Sequence, residues 1–175
     1  VVTDDRGRYV IPELPSANYD VWVRGYGLVD SPKKRGRPGT TMDHTGVVAP
    51  TPKAAAEYYP AGYWYSLMKI PAATEFPGTG PEGNGIATFI TSQPDYLRQF
   101  KNNACLGCHQ MGSKGTRDMP PEFSNLGSSV AAWARRPQSG QAGGAMAGMV
   151  NQMGPRTLQM FADWTDRIAA GEVPP

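Results

Sequence analysis

The sequence predicts an α+β chain in which a partial β segment precedes a mainly α domain. Three observations carry this reading. Residues 18–24 alternate between apolar and polar with a period of two, the mark of a half-buried strand. Two later stretches, 92–104 and 155–171, combine helix start or stop residues with an apolar face. The 21 glycines and 17 prolines among 175 residues favour turns and short elements over long regular ones. The chain divides into a β segment over residues 1–40, a connector over 41–90 and a helical domain over 91–175.

In the first stretch, Gly7 to Pro12 reads as a short strand ending in a turn. Tyr19, Val21 and Val23 then oppose Asp20, Trp22 and Arg24 in a second strand. Two strands alone are barely stable in water, so this unit requires further strands or a partner surface. Lys33 to Pro38 is basic and contains R-G-R-P, which resembles the core of a DNA-binding hook for the minor groove. One such core is a weak signal and a single basic loop is ordinarily solvated, so no nucleic-acid partner is expected.

The connector is rich in Pro, Gly and aromatic residues. Lys53 to Tyr59 fits a short helix that Pro60 stops. Tyr58, Tyr59, Tyr63, Trp64 and Tyr65 then crowd together. They read as a packed bridge between the β unit and the helical unit, or as a docking surface for a partner. Residues 77–85 are a turn-rich loop without the G-K-[ST] ending of a phosphate-binding loop, and no nucleotide role is assigned to them.

The helical unit starts near Thr91. Ser92 suits an N-cap and Pro94 a first turn. Leu97, Phe100 and Ala104 then lie on one face. The closing helix has Pro155 near its start and Gly171 near its end, with Leu158, Phe161, Thr165 and Ile168 on one face and Trp164 beside them.

Between these helices lies Cys105-Leu106-Gly107-Cys108-His109, a C-x-x-C-H pattern that holds both cysteines of the chain. Two thiols at this spacing can form thioethers to haem vinyl groups, and the adjacent imidazole can bind the iron. A thioredoxin-like pair would sit in a βαβ setting, which these segments lack. A structural zinc site wants four ligands, and only His44 could join these three. A disulfide across so short a loop would add little stability. The expected cofactor is one covalent haem c, held by Cys105, Cys108 and His109.

The second axial position decides between electron transfer and small-molecule chemistry. His44 is the only other histidine. Met111 follows His109 too closely to reach the far haem face, while Met119 has more reach. Residues 139–149 have the glycine content that permits close backbone approach to a flat cofactor. Met146 is the preferred distal ligand, followed by Met149, with Met153 and Met119 also open and Met160 inside a helix. Met146, Met149 and Met153 are spaced i, i+3, i+7, which equally describes a buried helical stripe. Trp133, Arg135 and Arg136 lie between the motif and these methionines, where arginine could pair with haem propionates and tryptophan could pack on the ring edge.

Two families are resembled. Thr3 to Tyr9, Leu14-Pro15 and Tyr19 to Gly25 are similar to the second half of a carboxypeptidase-regulatory-like β-sandwich, which implies a partial sandwich completed by other strands. C-x-x-C-H together with residues 161–175 resembles the class I cytochromes c, whose closing helix carries a D-W-I-x-x-G-x-x-P pattern. That resemblance covers residues 92–175. It implies that the two helices cross and that a methionine ligand comes from the loop before the last helix, although the usual Met-Pro pair is missing. The order of segments is similar to the front of large secreted bacterial proteins in which a streptogramin-lyase-like β-propeller follows the haem domain.

These resemblances imply periplasmic or other extracytoplasmic electron transfer, with a redox partner protein or a downstream domain as partner. Hydrophobic content is 39%, so the core is modest, and a haem would supply part of it. The formal charge of +2 would be brought near neutral by two propionates. No run approaches the roughly 20 apolar residues of a membrane span. Val1 to Asp5 has no basic start leading into an apolar run, so a mature protein or a fragment is expected. Carboxylates are scattered and no spare cysteine remains, which points away from acid–base or nucleophilic catalysis. The alternatives are the haem part of a larger oxidoreductase with a reactive iron, and a structural or adhesion module. Composition leaves the oligomeric state open.

Overall fold

The computed structural model describes all 175 residues, as two compact units, Val1–Tyr58 and Tyr59–Pro175. Helix predominates, with two small sheets, so the chain is mixed α and β. No helix is long and apolar enough to cross a membrane.

The first unit holds β1 (Tyr19–Val21), β2 (Leu28–Val29), β3 (Lys34–Gly36), β4 (Val47–Val48) and α1 (Pro52–Ala56). β1 pairs antiparallel with β3, Asp20 standing opposite Arg35, and β2 pairs antiparallel with β4. Exposure alternates along residues 19–24, with Tyr19, Val21 and Val23 half-buried. The R-G-R-P run belongs to the β1–β3 ribbon: Gly36 faces Tyr19 in the ladder, and Arg37 Nε donates to Asn18 Oδ1 at 2.9 Å. Arg24 forms a two-pronged ion pair with Asp30 at 2.7 and 2.8 Å.

Gly7 to Pro12 forms no strand, contrary to expectation. Asp4 intervenes. Its carboxylate accepts from the backbone N–H groups of Arg6 and Arg8 at 3.0 and 2.7 Å, winding residues 4–8 into a turn. Gly7 sits at φ +74°, the left-handed region that a turn of this kind uses. α1 stops at Ala56, within the helix anticipated from Lys53; Thr51 caps it by accepting from Ala54 N–H at 3.1 Å.

The second unit contains α2 (Ala61–Tyr65), α3 (Gln93–Arg98), α4 (Cys105–Cys108), α5 (Lys114–Arg117), α6 (Ser129–Arg135), α7 (Gly143–Met153) and α8 (Arg156–Ala169). α8 is the organising element. Its face at Thr157, Met160, Phe161, Trp164 and Thr165 is buried. Of the residues expected on one face, Phe161 and Thr165 are buried, while Leu158 and Ile168 are half-buried and pack at the margin of the core.

Residues 59–90 are integral to this core. Trp64, Met68, Ile86 and Ile90 are buried. Trp164 Nε1 donates to the Trp64 carbonyl at 2.9 Å, and Arg167 donates to the Leu67 carbonyl at 2.6 Å. The buried Arg117 guanidinium lies 4.0 Å from the centre of the Trp64 ring and donates to Gly112 O at 2.8 Å. The turn-rich loop is also anchored. Asn84 Oδ1 accepts from Thr79 and Ile86 N–H at 3.0 and 3.1 Å, while Ala87 N–H donates to Met153 O at 3.1 Å.

Candidate cofactor site

Ser92 caps α3 by accepting from Asp95 N–H at 3.3 Å, with Pro94 in the first turn, as the sequence anticipates. The helix then widens into a π turn over Gln99–Asn103 immediately before the motif. Phe100 is fully buried and packs against Phe161 of α8 with ring centroids 6.0 Å apart, and against Tyr65 at 6.4 Å. Tyr96, one residue before the anticipated Leu97, carries much of the burial. Its hydroxyl pairs with Thr157 Oγ1 at 2.9 Å. The anchor of the motif is therefore bonded and packed directly onto the closing helix.

The motif itself forms α4, a single helical turn. Cys105 and Cys108 stand at i, i+3, the spacing that puts two side chains on one side of a turn. Gly107 N–H donates to Ala104 O at 3.1 Å and His109 N–H to Cys105 O at 2.9 Å. His109 ends the turn with extended backbone dihedrals. Both thiols are free, Cys105 half-buried and Cys108 exposed. Burial pushes the Cys105 thiol up to about 11.

Cys105, Cys108 and His109 line one cavity of about 410 Å³. Met146, Met149 and Val150 of α7 line the same space, with Phe161 and Trp133 contributing aromatic walls. Its size falls within the roughly 300–1,000 Å³ of cofactor and small-molecule sites. Trp133 stacks on Phe161 and donates from Nε1 to Thr165 Oγ1 at 3.0 Å, so this wall is locked to α8. Arg136 also lines the cavity. Its guanidinium lies 4.8 Å from the Trp133 ring centre and donates to the backbone carbonyls of Gly115 and Thr116. Burial lowers its pKa, against the opposite pull of Asp118 and Glu122. Arg135 does not itself line the cavity; it lies over Phe123 and donates to Ser139, two residues that do.

The remaining methionines sort by burial. Met153 and Met160 are sealed in the core, and Met119 packs against it without reaching the cavity. Met111 is buried and lines the cavity, with its N–H on the His109 carbonyl at 3.1 Å. Met149 both lines the cavity and packs on the core, whereas Met146 lines the cavity without joining the core cluster. The resemblance implies a loop for this ligand, but Met146 stands on the helix α7. The i, i+3, i+7 stripe explains the helix, since it brings Met146, Met149 and Met153 to one side. Of the glycines in this segment, Gly143 packs on Gln138 O, while Gly144 and Gly148 face open space.

His44 lies in the first unit, where both ring nitrogens are buried without a hydrogen-bond partner and Tyr9 is the neighbouring ring at 6.2 Å. That unit also has a larger hollow, of about 650 Å³. Its walls are a loop and a ribbon edge bearing Arg6, Glu13, Arg37 and Asp43, with no thiol or imidazole among them. The chemistry therefore concentrates at the smaller cavity. Sequence reasoning missed the contributions of Phe123, Pro120 and Thr116 to that cavity. The Pro120-Pro121 pair, which opens the short 3-10 turn Pro121–Phe123, was the available signal. Among known proteins, no family model, curated protein or solved structure matches the chain significantly.

The residues present fit a covalently attached haem. They supply two thiols one turn apart, an adjoining imidazole, a half-buried thioether outside the core cluster and apolar walls around a cofactor-sized space.

Proposed function

We propose that residues 59–175 form a monohaem electron-transfer domain of the class I-like cytochrome c type. Cys105 and Cys108 would hold haem c through thioethers, with His109 as the proximal ligand and Met146 as the distal one. The group, when bound, supplies one-electron chemistry between Fe(III) and Fe(II), at a potential raised by His–Met ligation. The observation that carries this reading is that Cys105, Cys108, His109 and Met146 line one apolar cavity.

The chain's own residues have separate tasks. The α4 turn presents both sulfurs and fixes where His109 begins. Phe161 and Trp133 line the cavity with apolar rings, a wall suited to the flat face or edge of an apolar cofactor. Arg136 places a half-buried cation on the wall, suited to an acidic substituent of a bound group. Attachment of this kind implies an extracytoplasmic, bacterial setting. The donor or acceptor would be a dehydrogenase, another redox protein or a further domain of a larger secreted chain. The first unit contributes a β segment of the carboxypeptidase-regulatory-like kind.

Absorption spectra of holoprotein from a host able to mature c-type haem test the ligand set. A methionine–iron band near the red end of the spectrum is expected in the wild type and in Met149→Ala, and is lost in Met146→Ala. An unchanged band in Met146→Ala removes that residue from the iron.

A further inference from the structure

α7, which carries Met146, is intrinsically a weak helix. It has 11 residues, and its N-terminus has no side-chain cap. Three of its residues are glycines, at 143, 144 and 148, and glycine is the poorest helix former after proline, with Gly148 in the helix interior. Helices shorter than about 12–15 residues are marginal on their own even with good sequences. Something outside α7 must hold it in register.

The tether is at its C-terminal end. Met153 O, on the last residue of α7, accepts from Ala87 N–H at 3.1 Å. After Gly154 and Pro155, α8 begins, and Arg156 N–H donates to Gly85 O at 2.8 Å. The Arg156 side chain then grips Glu75 with two bonds, Nε to Oε2 at 2.7 Å and Nη2 to Oε1 at 3.1 Å. Asn84 ties the same loop internally through Thr79, Ile86 and the carbonyls of Glu75 and Pro77. The segment from Glu75 to Ile90 is thus a closed strap across the α7–α8 junction.

We infer that this strap positions the distal ligand: Glu75 and Arg156, which touch neither the cavity nor the motif, hold Met146 in place by fixing the end of its helix. They are positioning residues, and the inference rests on the haem reading above. Loss of the Glu75–Arg156 grip frees the junction, and α7, lacking its own propensity, loosens before the rest of the unit. Helix propensity should substitute for the strap. Gly148 has nothing within 4 Å of where a Cβ would sit, so Gly148→Ala strengthens α7 without a clash.

The test uses holoprotein of the wild type, Glu75→Gln, and Glu75→Gln combined with Gly148→Ala. Three readouts are taken: hydrogen exchange at amides 143–153, the methionine–iron band, and the rate of carbon monoxide binding to the reduced protein. In Glu75→Gln, exchange in α7 and carbon monoxide binding should each rise about fivefold, the order expected for one partly buried ion pair, and the band should weaken. Gly148→Ala should restore all three toward wild type. Unchanged exchange in α7 overturns the inference. So does faster exchange with an unaltered band and unaltered ligand binding, or a lost band that Gly148→Ala does not restore. A wild type with no methionine band overturns the ligand assignment itself, and that failure is visible before any strap variant is compared.

Discussion

Trp133 stacks on Phe161 with ring centroids 4.6 Å apart and planes 23° from parallel, and the two rings form one wall of the cavity that Cys105 and His109 open onto. The pair joins α6 to α8, and the Trp133 indole N–H donates to Thr165 one turn further along α8. Truncation of Trp133 removes a large buried ring and this bond together. Trp133→Ala should cost about 3–5 kcal/mol of stability. Trp133→Phe, which keeps a stacking ring, should cost about 1 kcal/mol for the lost hydrogen bond. Urea unfolding of the holoprotein monitored by far-UV circular dichroism measures both.

Gly112 is the tightest junction between α2 and the segment after the motif. It adopts φ +92°, and a Cβ placed on it would lie 1.9 Å from Ala61 O. Both strain and collision follow from any side chain there, so Gly112→Ala should destabilise the second unit by more than the roughly 1 kcal/mol of a positive-φ penalty alone. A fall in urea midpoint no larger than that of an exposed-loop glycine such as Gly127 would contradict the packing described.

Residues 59–90 should be indispensable to the helical domain. A fragment of residues 59–175 is expected to unfold cooperatively, whereas residues 91–175 leave Trp164, Phe100 and Arg167 without Trp64, Tyr65 and Leu67. Differential scanning calorimetry of the two fragments distinguishes them. A sharp transition in the shorter one would remove the connector from the core.

The pH dependence follows from Glu75. The hydrogen bonds from Arg156 hold its carboxyl below the ordinary value of 4.5. A carboxyl lowered on folding adds stability above its unfolded pKa, and that addition disappears as pH falls through the lower, folded pKa. Wild type and Glu75→Gln should therefore differ in urea midpoint near neutral pH and converge in acid, below the ordinary carboxylate range. A gap independent of pH would mean that the charge on Glu75 contributes nothing.

The thiols should react in order. In polypeptide made without haem maturation, Cys108 is exposed while Cys105 is half-buried with its pKa raised to about 11. Burial and the raised pKa both keep Cys105 the less reactive thiol near neutral pH. Iodoacetamide followed by peptide mass mapping should label Cys108 first.

The local signals were legible in the sequence and the long-range ones were not. Ser92, Pro94, Pro155 and the C-x-x-C-H turn act within a few residues of themselves, and each stands where its local chemistry puts it. The alternation at residues 19–24 survives as a pattern of exposure although only Tyr19–Val21 is laddered. The anticipated strand at Gly7 failed because Asp4 offers the backbone a closer partner than any second strand. The face of α3 lies on Tyr96 rather than Leu97 because Thr157, far along the chain, supplies the hydroxyl that a buried phenol needs. Residues 77–85 were readable as turns, but their grip on α7 and α8 runs through Arg156 and Met153, which no local pattern announces. The methionine spacing allowed either a ligand loop or a helix stripe, and only the cavity separates Met146 and Met149 from the sealed Met153.

Intact mass spectrometry of protein produced in a host that matures c-type haem is the most direct trial of the assignment of Cys105, Cys108 and His109. One added haem per chain is expected, retained after denaturation and absent when Cys105 and Cys108 are both replaced by alanine. A chain weighing no more than its amino acids, colourless under those conditions, would refute it.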